Sequence, residues 1–235
     1  MKISGLQKMT LLDYPGKIAC TIFLGGCNFR CPFCHNSELL GQDAPQFITE
    51  EELFAFLRKR QGLLEAVCIS GGEPTLQPEL PEFIGKIRKL GFLVKLDTNG
   101  YKPAVLRQLL QHKLLDYVAM DVKNDDNNYP LTCGLDSMNM AAIKESLSLL
   151  LQGEVEYELR TTVVQQLHNS DSFKSIIALL KELSPQRKCS SYYLQPFVDR
   201  DTVLYKNFTS PSKAQLLEYK KILLKWAQTV EIRGL

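Results

Sequence analysis

Short apolar runs alternate with amphipathic stretches along most of the chain, and this alternation repeats in a regular rhythm. The apolar runs have the length of buried strands, and the stretches between them carry apolar residues at three- and four-residue spacing, which is typical of helices. The predicted strands cover residues 18–24, 66–70, 92–97, 117–121, 155–164 and 192–195. The predicted helices cover a stretch that begins after Thr49, then residues 79–90, 103–112, 139–152, 171–183 and a last helix from Ser210-Pro211 to about residue 228.

Six strand–helix pairs in this order predict parallel strands joined by right-handed crossovers. Six units are too few to close an eight-stranded barrel, so we expect an α/β fold with an open (β/α)6 sheet, a partial TIM barrel. Residues 1–235 are expected to form one domain, with residues 1–17 as a lead-in that ends in a type II turn at Tyr14-Pro15-Gly16. Residues 230–232 are a candidate closing strand.

Composition narrows the class of protein without identifying a partner. A hydrophobic content of 45% in 235 residues is enough for a real core. The formal net charge of +2 gives no argument for nucleic acid or for an anionic membrane, and no apolar run approaches the ~18 residues that span a bilayer. The seven cysteines are an odd number with three close together, so we expect no disulfide framework and a cytoplasmic location.

The most informative stretch is the loop of residues 25–36, called here the cluster loop, which follows the first predicted strand. Cys27, Cys31 and Cys34 stand at spacings of four and three, so their thiolates can reach one metal centre. A closed zinc or four-thiolate iron site needs a fourth ligand, and the chain has no second CxxC pair. The spacing therefore predicts a cluster with one iron left open for chemistry, and the alternatives are a half zinc ribbon or a chance grouping.

The pattern CxxxCxFC resembles the cluster loop of the radical S-adenosylmethionine (SAM) enzymes, and the string GCNFRCPFCHN is similar to the activating enzymes of glycyl radical proteins. Among these, the closest resemblance is to the anaerobic ribonucleoside-triphosphate reductase activating proteins. The segments LLDYPGK at 11–17, ELRTTVV at 158–164 and VEIRGL at 230–235 extend this resemblance along the chain. It implies one [4Fe-4S] cluster held by Cys27, Cys31 and Cys34, with SAM chelating the fourth iron.

Polar residues follow the predicted strands at the edge where ligands collect in parallel α/β folds. The candidates for cofactor binding are Phe33, Gly71, Gly72, Glu73, Asp97, Asn99, Asp121, Lys123, Arg160 and Pro196. Glycine pairs such as residues 71–72 let a backbone edge approach a ligand closely. For Asp97 and Asp121, the alternative to cofactor binding is a helix cap or a loop contact. The alternative for Arg160 is a partly exposed strand residue.

The resemblance implies a role for most of these residues. Residues 71–73 would bind the amino group of the methionine moiety, and Asp97 and Asp121 would bind that amino group or a monovalent cation. Lys123 would hydrogen-bond the ribose or the carboxylate, and Phe33 with residues 194–197 would flank the adenine.

A few positions depart from the family pattern or have no role in it. Val198 stands where pyruvate formate-lyase activating enzymes carry a histidine, which favours the reductase-activator branch. We interpret His35 and His168 as loop residues without a partner. Cys20 and Cys68 are expected in the core, and Cys133 and Cys189 are interpreted as lone residues near loops. Residues 35–70 contain one cysteine, so no second cluster is expected.

The resulting functional prediction is a radical SAM oxidoreductase that cleaves SAM reductively and generates a glycyl radical on a partner. The expected partners are an anaerobic ribonucleotide reductase and an electron donor of the flavodoxin or ferredoxin type, with no nucleic acid and no membrane. No side chain is needed as acid or base. The alternatives are a radical enzyme that acts on a small molecule or peptide, and a non-catalytic iron–sulfur or zinc protein. The loops at 36–48, 122–138 and 197–209 are expected to admit a flexible peptide segment.

Overall fold

The computed structural model describes residues 1–41 and 43–234. The strands are β1 (Ile3–Thr10), β2 (Ala19–Leu24), β3 (Ala66–Gly71), β4 (Leu93–Thr98), β5 (Tyr117–Asp121), β6 (Glu156–Val163), β7 (Cys189–Pro196) and β8 (Ala227–Ile232). The helices are α1 (Glu50–Arg60), α2 (Leu80–Lys89), α3 (Pro103–Gln111), α4 (Tyr129–Cys133), α5 (Met140–Gln152), α6 (Ser170–Leu183) and α7 (Lys213–Leu223), with short 3-10 turns at Ser37–Leu39 and Pro74–Leu76.

The strand order in the sheet follows the order of the chain, from β1 to β8. β1 pairs antiparallel with β2, whereas β2–β3, β3–β4, β6–β7 and β7–β8 pair in parallel. Because β1 and β8 are the two edges, the sheet is open. The predicted α/β class with an open sheet is confirmed, and the strands number eight rather than six.

The extra strand β1 lies in the stretch that the sequence analysis interpreted as a lead-in. Its hydrophobic pattern is weak because Gln7, Lys8 and Met9 are exposed on an edge strand, while Ile3 and Thr10 are buried at its ends. The predicted turn before β2 is confirmed, since Lys17 N donates to Tyr14 O at 3.3 Å and Gly16 has a φ of +70°.

The predicted start of the last helix at Ser210 is wrong, because a stronger cap stands two residues later. The Ser212 hydroxyl accepts a hydrogen bond from Gln215 N, and the Gln215 side chain accepts one from Ser212 N, which together form a capping box. The helix also ends earlier than expected, at Leu223, since the chain must turn before β8 begins at Ala227. The capping box predicted at Thr49 is confirmed at the start of α1.

Contacts within the chain divide it into two compact units. The first unit comprises residues 1–28, 38–98 and 104–119, and the second comprises residues 29–37, 99–103 and 120–234. In the first unit, Cys20 and Cys68 are fully buried core residues, as predicted. In the second, Cys133 ends α4 and Cys189 begins β7, so both lie next to loops as predicted, and both are fully buried. The single domain stays a prediction.

Candidate cluster and cofactor site

The three cysteines of the cluster loop differ from the other four in their exposure. Cys27, Cys31 and Cys34 are partly exposed and form no disulfide bond, whereas the remaining cysteines are buried. Among residues 1–41 and 43–234, no group of three or more His, Cys, Asp or Glu side chains is arranged to hold a metal ion. The assignment of these cysteines to a cluster therefore rests on their partial exposure, their spacing and the resemblance.

In the first unit, backbone hydrogen bonds hold the beginning of the cluster loop. Gly26 N donates to Leu39 O at 2.7 Å and Cys27 N donates to Leu40 O at 3.2 Å, so the 3-10 turn at Ser37–Leu39 anchors this part of the loop. On the other side, Glu73 N donates to Gly26 O at 2.8 Å. The start of the loop is thereby connected to the end of β3.

Gly71 and Gly72 are required by this close packing of backbone on backbone. Gly71 has a φ of +120°, and a Cβ built on it would lie 2.3 Å from Leu24 O. A Cβ on Gly72 would lie 2.1 Å from Gly26 O. No side chain fits at either distance, so the glycine pair has a structural reason in addition to the predicted approach to a ligand.

Glu73 follows the glycine pair and is only 1% exposed. Its Oε1 accepts hydrogen bonds from Thr75 N at 3.1 Å, from the Thr75 hydroxyl and from Thr98 Oγ1 at 2.8 Å. These bonds cap the 3-10 turn at Pro74–Leu76 and connect it to the end of β4. Its predicted contact with the methionine moiety stays a prediction.

Asp97 takes part in a buried ion pair within the first unit. Its Oδ1 accepts from Lys95 Nζ at 2.5 Å and its Oδ2 accepts from Ser70 Oγ at 3.1 Å. The Lys95 side chain is 2% exposed and that of Asp97 is 13% exposed. The sequence analysis missed Lys95, although a lysine inside an apolar strand two residues before an aspartate is a signal for such a pair.

The second unit brings Asp121 and Lys123, at the end of β5, together with Arg160, in the middle of β6. Asp121 accepts from Lys123 Nζ at 2.7 Å and from Arg160 Nε at 2.5 Å. Burial opposes charge on Asp121, but the charges of Arg160 and Lys123 hold its pKa well below the usual range. Burial likewise opposes charge on Lys123, and the Asp121 carboxylate raises the pKa of that ammonium above its ordinary value. All three groups are therefore ionised at neutral pH. Arg160 is a strand residue on β6 with a side chain that is 14% exposed, in agreement with the alternative of a partly exposed strand residue. Its role toward a cofactor stays a prediction.

The Cys31 thiol lies near these charges. A hydrogen bond with the Cys133 side chain lowers its pKa, burial opposes this effect, and the positive charge of Lys123 lowers it further, to about 7. In contrast, burial raises the pKa of Cys34. A thiol with a lowered pKa is readily deprotonated, which suits Cys31 as an iron ligand.

Phe33 and the segment after β7 come together in an apolar cluster of the second unit. Phe33, Phe197, Val164 and Val203 pack against each other with exposures of 4% or less, and Cys31 packs against them. Pro196 is partly exposed at the end of β7. Asn99 is buried, and its Oδ1 accepts from Tyr101 N at 3.0 Å. The adenine contact of Phe33 and Pro196 stays a prediction.

Both histidines that the sequence analysis left without a partner have one. His168 is buried, its Nδ1 accepts from Val164 N at 3.1 Å and its Nε2 donates to Lys123 O at 2.8 Å. Burial lowers the pKa of His168, so it is a neutral residue that holds the backbone of Lys123. His35 Nε2 hydrogen-bonds Val198 O at 2.7 Å, and its ring stacks on Phe197 with centroids 5.7 Å apart.

The segments 158–164 and 230–235, used above as branch markers, are connected by an ion pair. Arg233 Nη2 donates to Glu158 Oε2 at 2.7 Å and Oε1 at 2.9 Å, and its guanidinium lies 3.9 Å from the centroid of the Tyr193 ring. Glu158 is fully buried. The last residue of the second segment, Leu235, lies outside the described residues.

Comparisons with known proteins found similar sequences and a similar fold. The sequence model of the radical SAM superfamily matches residues 21–180. A Methanocaldococcus jannaschii protein named as a candidate glycyl-radical enzyme activating enzyme is 35% identical over 98% of this chain and 95% of its own length. The pyruvate formate-lyase-activating enzyme of Clostridium pasteurianum is 32% identical over 57% of each chain. A solved domain of the pyruvate-formate lyase-activating enzyme from Bacteroides vulgatus has the same fold, with a TM-score of 0.57 at 18% identity, covering 72% of this chain and 99% of that one.

None of the helices in the described part of the chain combines the length and the apolar character needed to cross a membrane.

Proposed function

Since the chain belongs to the radical SAM superfamily, we propose that it is an enzyme that generates a glycyl radical on a partner protein. The observation that carries this proposal is the similarity to a candidate activating enzyme, which extends over 98% of this chain and 95% of the relative. Similarity over nearly the full length of both chains supports a shared reaction better than a shared cluster loop alone.

Cys27, Cys31 and Cys34 would hold a [4Fe-4S] cluster, because they are partly exposed cysteines without disulfide bonds in one short loop. When bound, the reduced cluster supplies the electron that cleaves the C5′–S bond of SAM, which releases methionine and the 5′-deoxyadenosyl radical that removes a hydrogen atom from the substrate. Of the two loop cysteines whose pKa is shifted, Cys31 is the more readily deprotonated, since the pKa of Cys34 is raised.

Asp121, Lys123 and Arg160 would orient the polar part of SAM. The carboxylate of Asp121 fixes the two cations at the strand ends, and His168 fixes the backbone of Lys123, so Lys123 presents its charge with little freedom to move. A lysine ammonium has three donors, of which Asp121 takes one. The remaining donors suit a carboxylate or a ribose hydroxyl.

A monovalent cation would bind at Asp97 rather than at Asp121. Asp121 already faces two positive side chains, and a third positive charge there would be repelled. Asp97 forms an ion pair with Lys95 and accepts a hydrogen bond from Ser70 Oγ. Glu73 and residues 71–72 would then present backbone groups to the amino end of the cofactor.

The partner would be a glycyl radical enzyme, of which an anaerobic ribonucleotide reductase is the most specific candidate. In the second unit, segments that follow strand ends expose large apolar side chains, which suits a transient contact with a flexible segment of another protein. These are Leu131, Val198, Leu204 and Tyr205, with exposures between 53% and 66%. A flavodoxin or ferredoxin in the cytoplasm would supply the electron.

The test is to mix the reduced, reconstituted protein with SAM and the candidate reductase in the absence of oxygen and to record an EPR spectrum. We expect the doublet of a glycyl radical, and we expect no doublet when the target glycine of the reductase is replaced by alanine. If no glycyl radical protein gives the doublet while a small metabolite drives 5′-deoxyadenosine formation, the proposal is wrong and the small-molecule alternative is favoured.

A further inference from the structure

Amide side chains line a cavity of about 260 Å³ in the second unit, called here the amide cavity. It lies between the segment that follows β5, the segment that follows β6 and the first turns of α6 and α7. Both segments leave the carboxyl ends of their strands, which is the edge where Asp121 and Lys123 stand. The amides belong to Asn124, Asn128, Gln165, Gln166, Asn169 and Gln215.

Helix capping fixes the orientation of two of these amides. Asn169 Oδ1 accepts hydrogen bonds from Asp171 N at 2.9 Å and from Ser172 N at 3.0 Å, and it thereby caps α6. Gln215 Oε1 accepts from Ser212 N at 2.9 Å in the capping box of α7. Because both oxygens are used in this way, the N–H groups of each amide are left for another acceptor.

Gln165 adds an amide at the exposed side of the cavity. Its backbone N donates to Thr209 O at 2.9 Å, which fixes the main chain, whereas its side chain has no hydrogen-bond partner among the described residues. Leu131 also lines the cavity and is 64% exposed. The amide cavity thus combines amide donors and acceptors with one exposed apolar side chain.

Hydrogen bonds hold the inner wall of the cavity and connect it to the backbone of Lys123. His168 Nε2 donates to Lys123 O at 2.8 Å, and Asn124 Nδ2 donates to Leu167 O and to Thr132 Oγ1, each at 2.9 Å. His168, Asn124 and Thr132 are all buried. A ligand in the cavity would therefore lie next to the support of a residue that the proposed function places against SAM.

The lining favours an uncharged, polar ligand. Among the described residues that line the cavity, none carries a charge, since burial lowers the pKa of His168 and keeps this side chain neutral. A charged ligand would find no counter-charge there, and an apolar ligand would leave amide groups without hydrogen bonds. A peptide group offers one N–H donor and one C=O acceptor, and an amide side chain can pair with both.

The size of the cavity favours part of a chain over a whole small molecule. Pockets for small molecules enclose about 300–1,000 Å³ and bury most of the surface of their ligand. The amide cavity is smaller, at about 260 Å³, and two of its lining residues, Gln165 and Leu131, are exposed. It therefore suits a few residues of an extended chain that continues beyond it.

We propose that the amide cavity is a docking site for the backbone of an extended segment of the partner protein, apart from the glycine that reacts. The amides of Gln165, Asn169 and Gln215 pair with peptide groups of that segment, and Leu131 contacts one of its apolar side chains. This rests on the proposed function, because it takes the glycyl radical enzyme as the partner.

The test compares the reconstituted holoproteins of Gln165→Glu, Gln165→Ala and Gln186→Glu with the wild type, all in the presence of SAM. Gln165→Glu keeps the shape of the side chain but replaces its N–H donors by a second, negatively charged acceptor. Gln186→Glu is the matched control, because it makes the same change at an exposed residue of the same unit that does not line the cavity. The dissociation constant for the candidate reductase is measured by isothermal titration calorimetry without oxygen.

We expect the dissociation constant to rise about tenfold in Gln165→Glu and about fivefold in Gln165→Ala, as for the loss of one hydrogen bond, and to stay unchanged in Gln186→Glu. Cleavage of SAM with a chemical reductant and without the partner should be the same in all four proteins. In hydrogen–deuterium exchange of the wild type, the reductase should slow the amides of residues 165–169 by about fivefold and leave those of residues 184–188 unchanged.

A wild-type dissociation constant in both Gln165 variants would overturn the proposal, and so would unchanged exchange at residues 165–169. If the glycyl radical forms while these variants bind as tightly as the wild type, the proposed function stands and the docking site fails. If the variants bind more weakly but the wild type produces no glycyl radical, the docking site stands and the proposed function fails. Absence of binding by the wild type would overturn both.

Discussion

Replacing Asp121 by asparagine should destabilise the protein strongly, because it leaves two cations without their counter-charge. The side chains of Asp121, Lys123 and Arg160 are 24%, 12% and 14% exposed, so water replaces little of the lost interaction. Removing one partner of a buried ion pair costs about 3–5 kcal/mol, and the partial exposure of Asp121 places the expected loss at about 3 kcal/mol. For a chain of this length that lowers Tm by about 6–12 °C.

The assay is thermal unfolding of the apoprotein under anaerobic reducing conditions, followed by circular dichroism. Asp136→Asn is the matched control, since it removes the same charge from an exposed residue of the same unit and should change stability by less than about 0.5 kcal/mol. The reasoning would be refuted if the two variants had the same Tm.

The pH dependence gives a second check on Asp121. The pKa of Asp121 is lower in the folded state than in the unfolded state. Its contribution to the free energy of unfolding is therefore fully present above the unfolded pKa of about 3.9, and it is lost as the pH falls through the folded pKa. The difference in stability between the wild type and Asp121→Asn should therefore be constant from about pH 6 to pH 8 and should shrink below about pH 4. A difference that instead shrinks between pH 6 and pH 8 would contradict the assignment.

Three further experiments, with five substitutions, test other parts of the structure. Gly72→Ala should lower the free energy of unfolding by about 1–3 kcal/mol, because its Cβ would overlap Gly26 O. Gly85→Ala, which adds a methyl group in open space inside α2, should raise it by about 0.5–1 kcal/mol. Equal effects of the two variants in thermal unfolding would contradict this packing. Ser212→Ala should lower the free energy of unfolding by about 1 kcal/mol, and Ser210→Ala should lower it by less than about 0.5 kcal/mol. The reverse order would support a helix that begins at Ser210. Cys31→Ala should lower the reconstituted iron content below about four per chain, and full content would remove Cys31 from the cluster.

The alternation of apolar runs and amphipathic helices was sufficient to predict the class of fold. It failed where an element is short or lies at an edge. β1 exposes three of its eight residues, and α4 is a five-residue helix held by a hydrogen bond from Asn124 to Thr132, so neither has a hydrophobic periodicity of its own. Helix α7 begins after Ser212 rather than after Ser210, because Gln215 stands three residues after Ser212 and completes its capping box.

The candidate site was predictable in its residue types but not in its partners. Strand ends indicated Asp97, Asp121 and Arg160, because polar residues that follow buried strands stand out in the sequence. The pair of Lys95 and Asp97 has a local signal, since residues two apart in one strand lie on the same face. The pair of Arg160 and Asp121 could not be predicted, because the two residues are 39 positions apart on different strands.

The central claim, that this enzyme removes a hydrogen atom from a glycine of a partner protein, is tested most directly by isotope transfer. The partner is prepared with glycine deuterated at Cα and incubated without oxygen with the reduced enzyme and unlabelled SAM, and the 5′-deoxyadenosine is analysed by mass spectrometry. The account predicts that the 5′-deoxyadenosine gains one deuterium, in step with the appearance of the glycyl radical. Unlabelled 5′-deoxyadenosine formed in the presence of the fully labelled partner would contradict it.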